Sequence, residues 1–254
     1  MKIPNLLTIA ATFLSLHSLH ASDLPIPNFS FESQSGVGQP FGVNIFIDSW
    51  QKNPKPAYFD ESSGFYWMQT AGVFLNPPTN YQNAPGAQAA YLLPFPGNGL
   101  FQDFTSQDWN DPTPTNDFNA TFQTGKSYQF TLGVFGKNLS EGDILQLSLY
   151  YRDSGNNPVT VGSPNQIVYH LANFPTANPL NLIDFSVMIP EVQTTDPFAG
   201  QNIGISISSP VGLGSGNWDF DNARLTQTPE PTSLLLLSFG VVGLALRRPR
   251  SFTP

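Results

Sequence analysis

The sequence predicts an all-β protein built around a single β-sandwich or jelly roll, on two observations. Apolar and polar residues alternate with a period of two along many short stretches, as in strands with one buried face. The 254 residues include 21 Gly and 24 Pro, and clusters of these residues separate the alternating stretches. The sequence shows no repeat of fixed period, which disfavours a propeller or a β-helix.

The strands follow from this alternation. It is clearest at Tyr128–Val134, at Leu145–Tyr151 and at Ile203–Ile207, where every second residue is apolar. Turn residues separate the stretches, as in the run from Pro94 to Gly99. The other predicted strands are Phe29–Ser33, Val43–Trp50, Gln88–Leu93, Phe118–Gln123, Val159–Gly162, Ile167–Leu171, Ile183–Met188 and Asn217–Leu225.

Composition excludes several classes of site. The chain has no Cys, so it has no disulfide framework, no thiol nucleophile and no Cys-ligated metal. Residues 22–228 hold 6 Lys and Arg against 17 Asp and Glu, a net charge of −11, which disfavours nucleic-acid binding. His170 is the one His in this segment and lies in an apolar stretch, so we expect it to be a partly buried structural residue.

The N-terminus has the layout of a secretory signal peptide over residues 1–21. Lys2 precedes an apolar stretch from Leu6 to about Leu16, and a short polar segment follows. We expect cleavage between Ala21 and Ser22, although Leu19 is larger than the small residue usual at that place.

The C-terminus combines three features in order. Pro229, Glu230 and Pro231 come first, an uncharged stretch predicts a transmembrane helix over about residues 233–246, and Arg247, Arg248 and Arg250 follow. Fourteen helical residues span about 21 Å, short of a hydrocarbon core of roughly 30 Å. The arginines predict a cytoplasmic tail with the rest of the chain outside.

Residues 229–250 resemble the PEP-CTERM sorting signal of Gram-negative bacteria, although Pro249 interrupts the basic cluster. The resemblance implies recognition and cleavage near Pro229–Pro231 by an exosortase-type membrane protease. It also implies anchoring through the C-terminal helix before processing, and then delivery to the cell surface or an exopolysaccharide matrix. The same tail occurs on ice-binding proteins, so it reports an address and not an activity.

The segment 22–228 opens with Asn28-Phe29-Ser30-Phe31-Glu32 and closes with Asp219-Phe220-Asp221-Asn222. In this order of motifs it resembles the galactose-binding-like jelly roll of bacterial carbohydrate-binding modules. In modules of that type an acid of the first strand and an Asp of the last strand help to bind a structural Ca²⁺. The resemblance therefore implies a calcium site at Glu32 and Asp221, which oxygen ligands suit.

Aromatic residues in polar loops are the candidate ligand-binding residues: Tyr66, Trp67, Tyr81 and Trp109. Rings in such places can stack on a sugar. Tyr66 and Trp67 face opposite sides if the segment is extended, so we expect one of the two to be available.

Three hypotheses remain open for the function. The first is a non-catalytic, exported surface or matrix protein that binds neutral polysaccharide. The second is a secreted glycan-active hydrolase that uses paired carboxylates. The third is an ice- or surface-adsorbing protein. The sequence contains no Ser-elbow, phosphate-binding glycine loop or His-Glu-x-x-His motif.

Overall fold

A computed structural model describes residues 21–33, 42–75, 81–108, 118–175 and 180–229. The predicted signal peptide, up to residue 20, and the predicted transmembrane helix lie outside these ranges. None of the helices within them has the length and apolar character needed to cross a bilayer.

The described chain forms twelve strands and two short 3-10 turns, Trp67–Thr70 and Leu171–Asn173. The strands are β1 (Ser22–Leu24), β2 (Val43–Asn44), β3 (Gln51–Lys52), β4 (Ala71–Leu75), β5 (Gln88–Leu92), β6 (Asn98–Gln102), β7 (Lys126–Lys137), β8 (Ile144–Arg152), β9 (Pro158–Val168), β10 (Ile183–Ile189), β11 (Gly204–Val211) and β12 (Asn217–Pro229).

The strands form two antiparallel sheets, as expected for a β-sandwich. The seven-stranded sheet has the order β10-β7-β12-β5-β4-β2, and β1 also pairs with β12. The five-stranded sheet has the order β3-β6-β11-β8-β9. Because β12 pairs with β7, β5 and β1, the last strand organises the larger sheet.

One hydrophobic core lies between the sheets. Alternation along β8 buries Leu145, Leu147 and Leu149 completely, while β12 contributes Trp218 and Phe220 from the other sheet. Burying one such side chain contributes about 1.5–3 kcal/mol relative to leaving it exposed. The core therefore holds the sheets together and leaves their outer faces to polar residues.

Most of the long predicted strands are confirmed. The alternating stretches at Tyr128–Val134, Leu145–Tyr151 and Ile183–Met188 lie within β7, β8 and β10. The stretches at Val159–Gly162 and Ile167–Leu171 overlap one strand, β9, which ends at Val168. His170 follows that strand and is exposed, so the expectation of a partly buried His is wrong.

Two predicted strands near the N-terminus are wrong over most of their length. Phe29–Ser33 forms turns because Asn28 and Phe31 adopt positive φ angles of 49° and 56°. The stretch Val43–Trp50 remains a strand only at Val43–Asn44. The Asn44 side chain accepts a hydrogen bond from the Phe46 amide, and this local turn competes with the ladder.

Candidate functional site

A groove of about 380 Å³ runs across the outer face of the five-stranded sheet. Its volume falls within the range of ligand pockets in proteins. Hydroxyl- and amide-bearing side chains of three strands line it, among them Gln146 and Ser148 from β8, Thr160 from β9 and Ser206 from β11. Alternation explains this set, since the neighbouring residues of the same strands face the core.

A hydrogen-bonded cluster around Asp103 forms one part of this groove. The Asp103 carboxylate accepts hydrogen bonds from the Tyr150 hydroxyl at 2.5 Å and from Arg152 Nε at 2.7 Å. The Thr105 hydroxyl and amide also donate to it. Burial opposes ionisation of Asp103, but the hydrogen bonds from Thr105 and Tyr150 and the Arg152 charge together lower its pKa.

Arg152 is neutralised within the same cluster. Its guanidinium forms an ion pair with Asp103 at 2.7 Å and lies 5.7 Å from the ring centroid of Phe101. Among the described residues that line the groove, Arg152 is the one with a full charge. The groove is therefore polar and close to electrically neutral, although the domain as a whole is acidic.

Gly204 allows the Tyr150 ring to lie flat on the sheet. A Cβ at Gly204 would overlap Tyr150 Cε1 and Cζ, so any other residue would displace the ring. Displacing that ring would also break the hydrogen bond from Tyr150 to Asp103. The glycine thus supports the geometry of the cluster.

An aromatic loop over residues 58–67 adjoins the groove through Asn53. Asn53 and Pro54 line the groove, and the Asn53 carbonyl accepts a hydrogen bond from the Trp67 indole at 2.8 Å. Tyr58 and Tyr66 of this loop are 56% and 51% exposed. Both side chains are therefore open to solvent on the loop that contacts Asn53.

Two of the four predicted aromatic ligand residues are buried. Trp67 is 5% exposed and packs edge-on against Phe59, with ring centroids 4.9 Å apart. Tyr81 is 3% exposed. Because both side chains are buried, neither ring is open to stack on a ligand, contrary to the prediction from the sequence. Tyr66 keeps its predicted exposure, and Trp109 lies outside the described residues.

Tyr81 belongs to a second polar cluster, on the outer face of the seven-stranded sheet. Its hydroxyl donates to Asp219 at 2.6 Å, and Asn217 also donates to that carboxylate. Burial raises the pKa of Asp219 to about 6, against the opposing effects of Tyr81, Lys137 and Asn217. These contacts fix the side chain of Tyr81 and leave it no open ring face.

Glu32 and Asp221, the two predicted calcium ligands, are close enough to interact electrostatically. Burial, and secondly the Glu32 charge, raise the pKa of Asp221 to about 8, although a hydrogen bond from the Asn222 amide at 2.6 Å opposes this. Glu32 Oε1 accepts hydrogen bonds from the Ala87 and Gln88 amides at 3.0 and 2.9 Å. The ladder between β12 and β7 shifts register after Asp221, which re-aims this carboxylate.

The pair has the chemistry of a site for a hard cation. Asp221 Oδ2 is buried and makes no hydrogen bond within the described part of the chain. A buried carboxylate oxygen without a hydrogen bond is stabilised by a bound proton or by a cation. In residues 21–229, as far as they are described, no third His, Asp or Glu joins a metal-binding group, so backbone oxygens and water would complete the shell.

Sequence reasoning missed the Asp103–Tyr150–Arg152 cluster. Asp103 is 47 and 49 positions from Tyr150 and Arg152 in the chain, and β11 lies between β6 and β8 in the sheet. The one local signal is that Tyr150 and Arg152 share the outward face of β8. Asp103 follows β6, and β6 is not among the predicted strands because it begins within the turn residues Pro94–Gly99. No pattern in the sequence therefore indicates a structural role for Asp103.

Comparisons with known proteins identify the C-terminus and the fold. A family model for the PEP-CTERM protein-sorting motif matches residues 227–250. Pro229 is the last residue of β12, whereas Glu230, Pro231, Arg247, Arg248 and Arg250 lie outside the described residues. No curated protein matches the chain.

Solved structures share the architecture. A cyclase from Fischerella sp. TAU is 22% identical with a TM-score of 0.56, and the match covers 84% of this chain and all of the cyclase. The apo form of a cyclase from Fischerella sp. is 19% identical with a TM-score of 0.53, covering 84% of this chain and 98% of that one. At these identities the likeness concerns the fold alone.

The CBM22-1 xylan-binding domain from Paenibacillus barcinonensis Xyn10C is also among the structural neighbours. It is 9% identical with a TM-score of 0.38, and the match covers 72% of this chain and 88% of that one. The sorting motif implies an exported protein that is processed by exosortase, a membrane protein. The chain therefore carries a PEP-CTERM protein-sorting motif directly after an all-β domain of two antiparallel sheets.

Proposed function

We propose that this exported protein binds neutral polysaccharide in the groove of the five-stranded sheet and does not cleave it. The observation that carries the proposal is the groove itself. It presents hydroxyl and amide groups beside a neutralised Asp103–Arg152 pair, and the loop that carries the exposed Tyr58 and Tyr66 contacts it through Asn53. Such a surface offers donors, acceptors and stacking faces without a net charge.

The groove supports binding more than hydrolysis. A glycosidase of the usual kind places two carboxyl groups about 5–9.5 Å apart around the scissile bond. Asp103 is buried next to Tyr150 and Arg152 of the groove, and Tyr150, Arg152 and Thr105 all donate hydrogen bonds to it. Glu32 and Asp221 are the other pair of interacting acids. Asp221 is completely buried, and a buried acid suits a structural ion better than a substrate.

Within the same proposal, Glu32 and Asp221 hold a structural calcium ion. The free oxygen of Asp221 and the negative charge of Glu32 favour it. Calcium takes six to eight oxygen ligands in flexible geometry, so two carboxylates with loop carbonyls and waters suffice. The ion would stabilise the junction between the N-terminal turn and β12.

Affinity electrophoresis in gels that contain neutral polysaccharides tests the binding function. We expect retardation of the protein by at least one neutral polymer and weak retardation by anionic polymers, because the domain is strongly acidic. Ser206→Trp fills the groove and should abolish retardation. Ser215→Trp is the matched control, since Ser215 is exposed and does not line the groove.

Assay of the same polymers for released sugar separates binding from hydrolysis. Retardation without released reducing ends supports the proposed function. Release of sugar that Asp103→Asn abolishes would instead establish the hydrolase. If no neutral polymer retards the protein, or if Ser206→Trp is retarded as strongly as the wild type, the groove does not bind glycan.

A further inference from the structure

The two ends of the domain lie side by side at one end of the larger sheet. β1 and β12 are antiparallel, with Ser22 opposite Gln227 and Leu24 opposite Leu225. Ser22 is the first residue after the predicted signal-peptide cut, and Gln227 is the first residue of the matched sorting motif. The chain before Ser22 and the chain after Gln227 therefore leave this strand pair in the same direction.

The first residues of the sorting motif are part of the folded sheet. β12 continues to Pro229, where Thr228 and Pro229 lie opposite Ser127 and Lys126 of β7. The Ser127 hydroxyl donates a hydrogen bond to the Thr228 carbonyl at 3.4 Å. No spacer separates the end of the ladder from Glu230 and Pro231, which are the next two residues of the sequence.

This continuity conflicts with what a protease requires. Proteolysis occurs at exposed, mobile segments, because the protease must take up the backbone that the fold otherwise holds. Here the residues directly before Glu230 hydrogen-bond with β7 on one side, and Gln227 pairs with Ser22 on the other. Local opening of a strand end is a low-energy event compared with global unfolding, so such a segment can open while the core remains folded.

We infer that cleavage of the sorting motif requires the end of β12 to open from β7 and β1, so that the folded domain restrains its own processing. Hydrolysis breaks a peptide bond in or beside Pro229–Pro231, uses water, and leaves a carboxylate on the domain and an amine on the tail. When opening and closing are fast relative to cleavage, the cleavage rate follows the population of the open form. This inference depends on the sorting motif and is independent of the glycan groove.

A spacer insertion tests the inference in cells that contain the sorting protease. Gly-Ser-Gly-Ser inserted between Thr228 and Pro229 frees the motif from the ladder, and we expect pulse–chase processing at least about threefold faster, as the open population rises. The control carries the same insertion after Gly155, in the exposed turn between β8 and β9. It should be processed at the wild-type rate.

A reversible crosslink tests the opposite direction. Asp23 and Thr226 are directly opposite each other in β1 and β12, and cross-strand neighbours lie within the Cα separation that a disulfide requires. The chain has no other Cys, so Asp23→Cys with Thr226→Cys can pair only with each other within a molecule. We expect slower processing than in either single variant, and recovery when dithiothreitol is added.

The spacer and crosslink variants together decide whether the end of β12 restrains processing. Faster cleavage of the spacer variant together with slow, reductant-sensitive cleavage of the crosslinked variant supports the inference. Wild-type rates in both variants overturn it, since the end of β12 would then have no influence on processing. A misfolded crosslinked protein would not recover with reductant, which separates misfolding from restraint.

Discussion

Exposure divides the aromatic side chains beside the groove into rings that can contact a ligand and rings that support the fold. Tyr66 and Trp67 are neighbours in sequence, yet half of Tyr66 is exposed and Trp67 is buried against Phe59. Trp67 also donates its indole hydrogen bond to the Asn53 carbonyl. Substitution of these two residues should therefore have separate effects on stability and binding.

Trp67→Ala should destabilise the domain, whereas Tyr66→Ala should not. Removing a buried Trp side chain costs about 3–5 kcal/mol because it leaves a cavity, and a surface change stays within about 0.5 kcal/mol. Thermal melting of the two variants checks this. Equal melting temperatures would contradict the assignment of Trp67 to the core.

The buried carboxyl of Asp221 predicts a pH-dependent stability in metal-free protein. Its pKa rises from 3.8 to about 8 on folding, so the folded state binds the proton more tightly than the unfolded state. The contribution is full below about pH 4, and it is lost as the pH rises through 8. We expect the melting temperature to fall between pH 5 and pH 8, by roughly 4–8 °C for a loss of about 2 kcal/mol.

Calcium should reverse this trend, because the ion takes the place of the proton. At a hundredfold excess over its dissociation constant a bound ion stabilises the native state by about 2.7 kcal/mol, and the gain should be larger at pH 8 than at pH 5. Asp221→Asn is the control and should lose both the calcium effect and most of the pH dependence. If calcium leaves the melting temperature of metal-free protein unchanged at both pH values, Glu32 and Asp221 do not bind the ion.

At the scale of elements, the sequence predicts long alternating strands well and predicts tertiary grooves poorly. The pattern of β8 and β10 is set by local alternation over seven or more residues, which a core on one side imposes. The predicted strand Phe29–Ser33 does not form, because Asn28 and Phe31 adopt left-handed backbone conformations. The chain turns there, and the Phe31 ring packs against Trp50 and Phe220.

The acid pair could be predicted and the Asp103 cluster could not, for a physical reason. Glu32 and Asp221 lie in the first and last parts of a domain for which a family resemblance provides the alignment. The Asp103 cluster depends on the order of β6, β11 and β8 in the sheet, and strand order is a property of the whole fold. Alternation alone does not specify which strands become neighbours.

Gly86 connects β5 to the acid pair and provides a test of that connection. It has a φ of +81°, and an added Cβ would overlap the Glu32 carboxylate. Gly97 has a similar φ of +86° with open space around it. Both Gly→Ala changes carry backbone strain of about 1–2 kcal/mol, so the difference between them reports the displacement of Glu32.

We expect Gly86→Ala to melt lower than Gly97→Ala and to show a smaller calcium-induced rise in melting temperature. Calorimetry of the two variants, each with and without calcium, measures both quantities. If the two variants respond alike to calcium, the position of Glu32 does not matter for the ion.

In the whole molecule, the core, the groove and the ends of the domain occupy three different places. The core between the two sheets gives stability, the outer face of the five-stranded sheet holds the groove, and β1 and β12 of the seven-stranded sheet bring the two ends of the domain together. This arrangement keeps the groove apart from the strand ends that lead to the sorting motif.

Processing at both ends predicts the mass of the mature protein. Protein released from the cell surface should begin at Ser22 and end near Pro229–Pro231, because a signal-peptide cut and an exosortase-type cut remove the flanking segments. Intact-mass spectrometry of the released protein checks both ends at once. A released product that retains Leu234–Arg250 would contradict tail removal.

The most direct test of the central claim is a nuclear magnetic resonance titration of residues 22–229 with neutral oligosaccharides of glucose, xylose, mannose and galactose. We expect the amide shifts for at least one of these sugars to cluster at Gln146, Ser148, Thr160 and Ser206. The Ser206→Trp variant should lose those shifts and keep the rest of its spectrum. Absence of shifts with every sugar, or shifts confined to the outer face of the seven-stranded sheet, would contradict the claim that this groove binds neutral glycan.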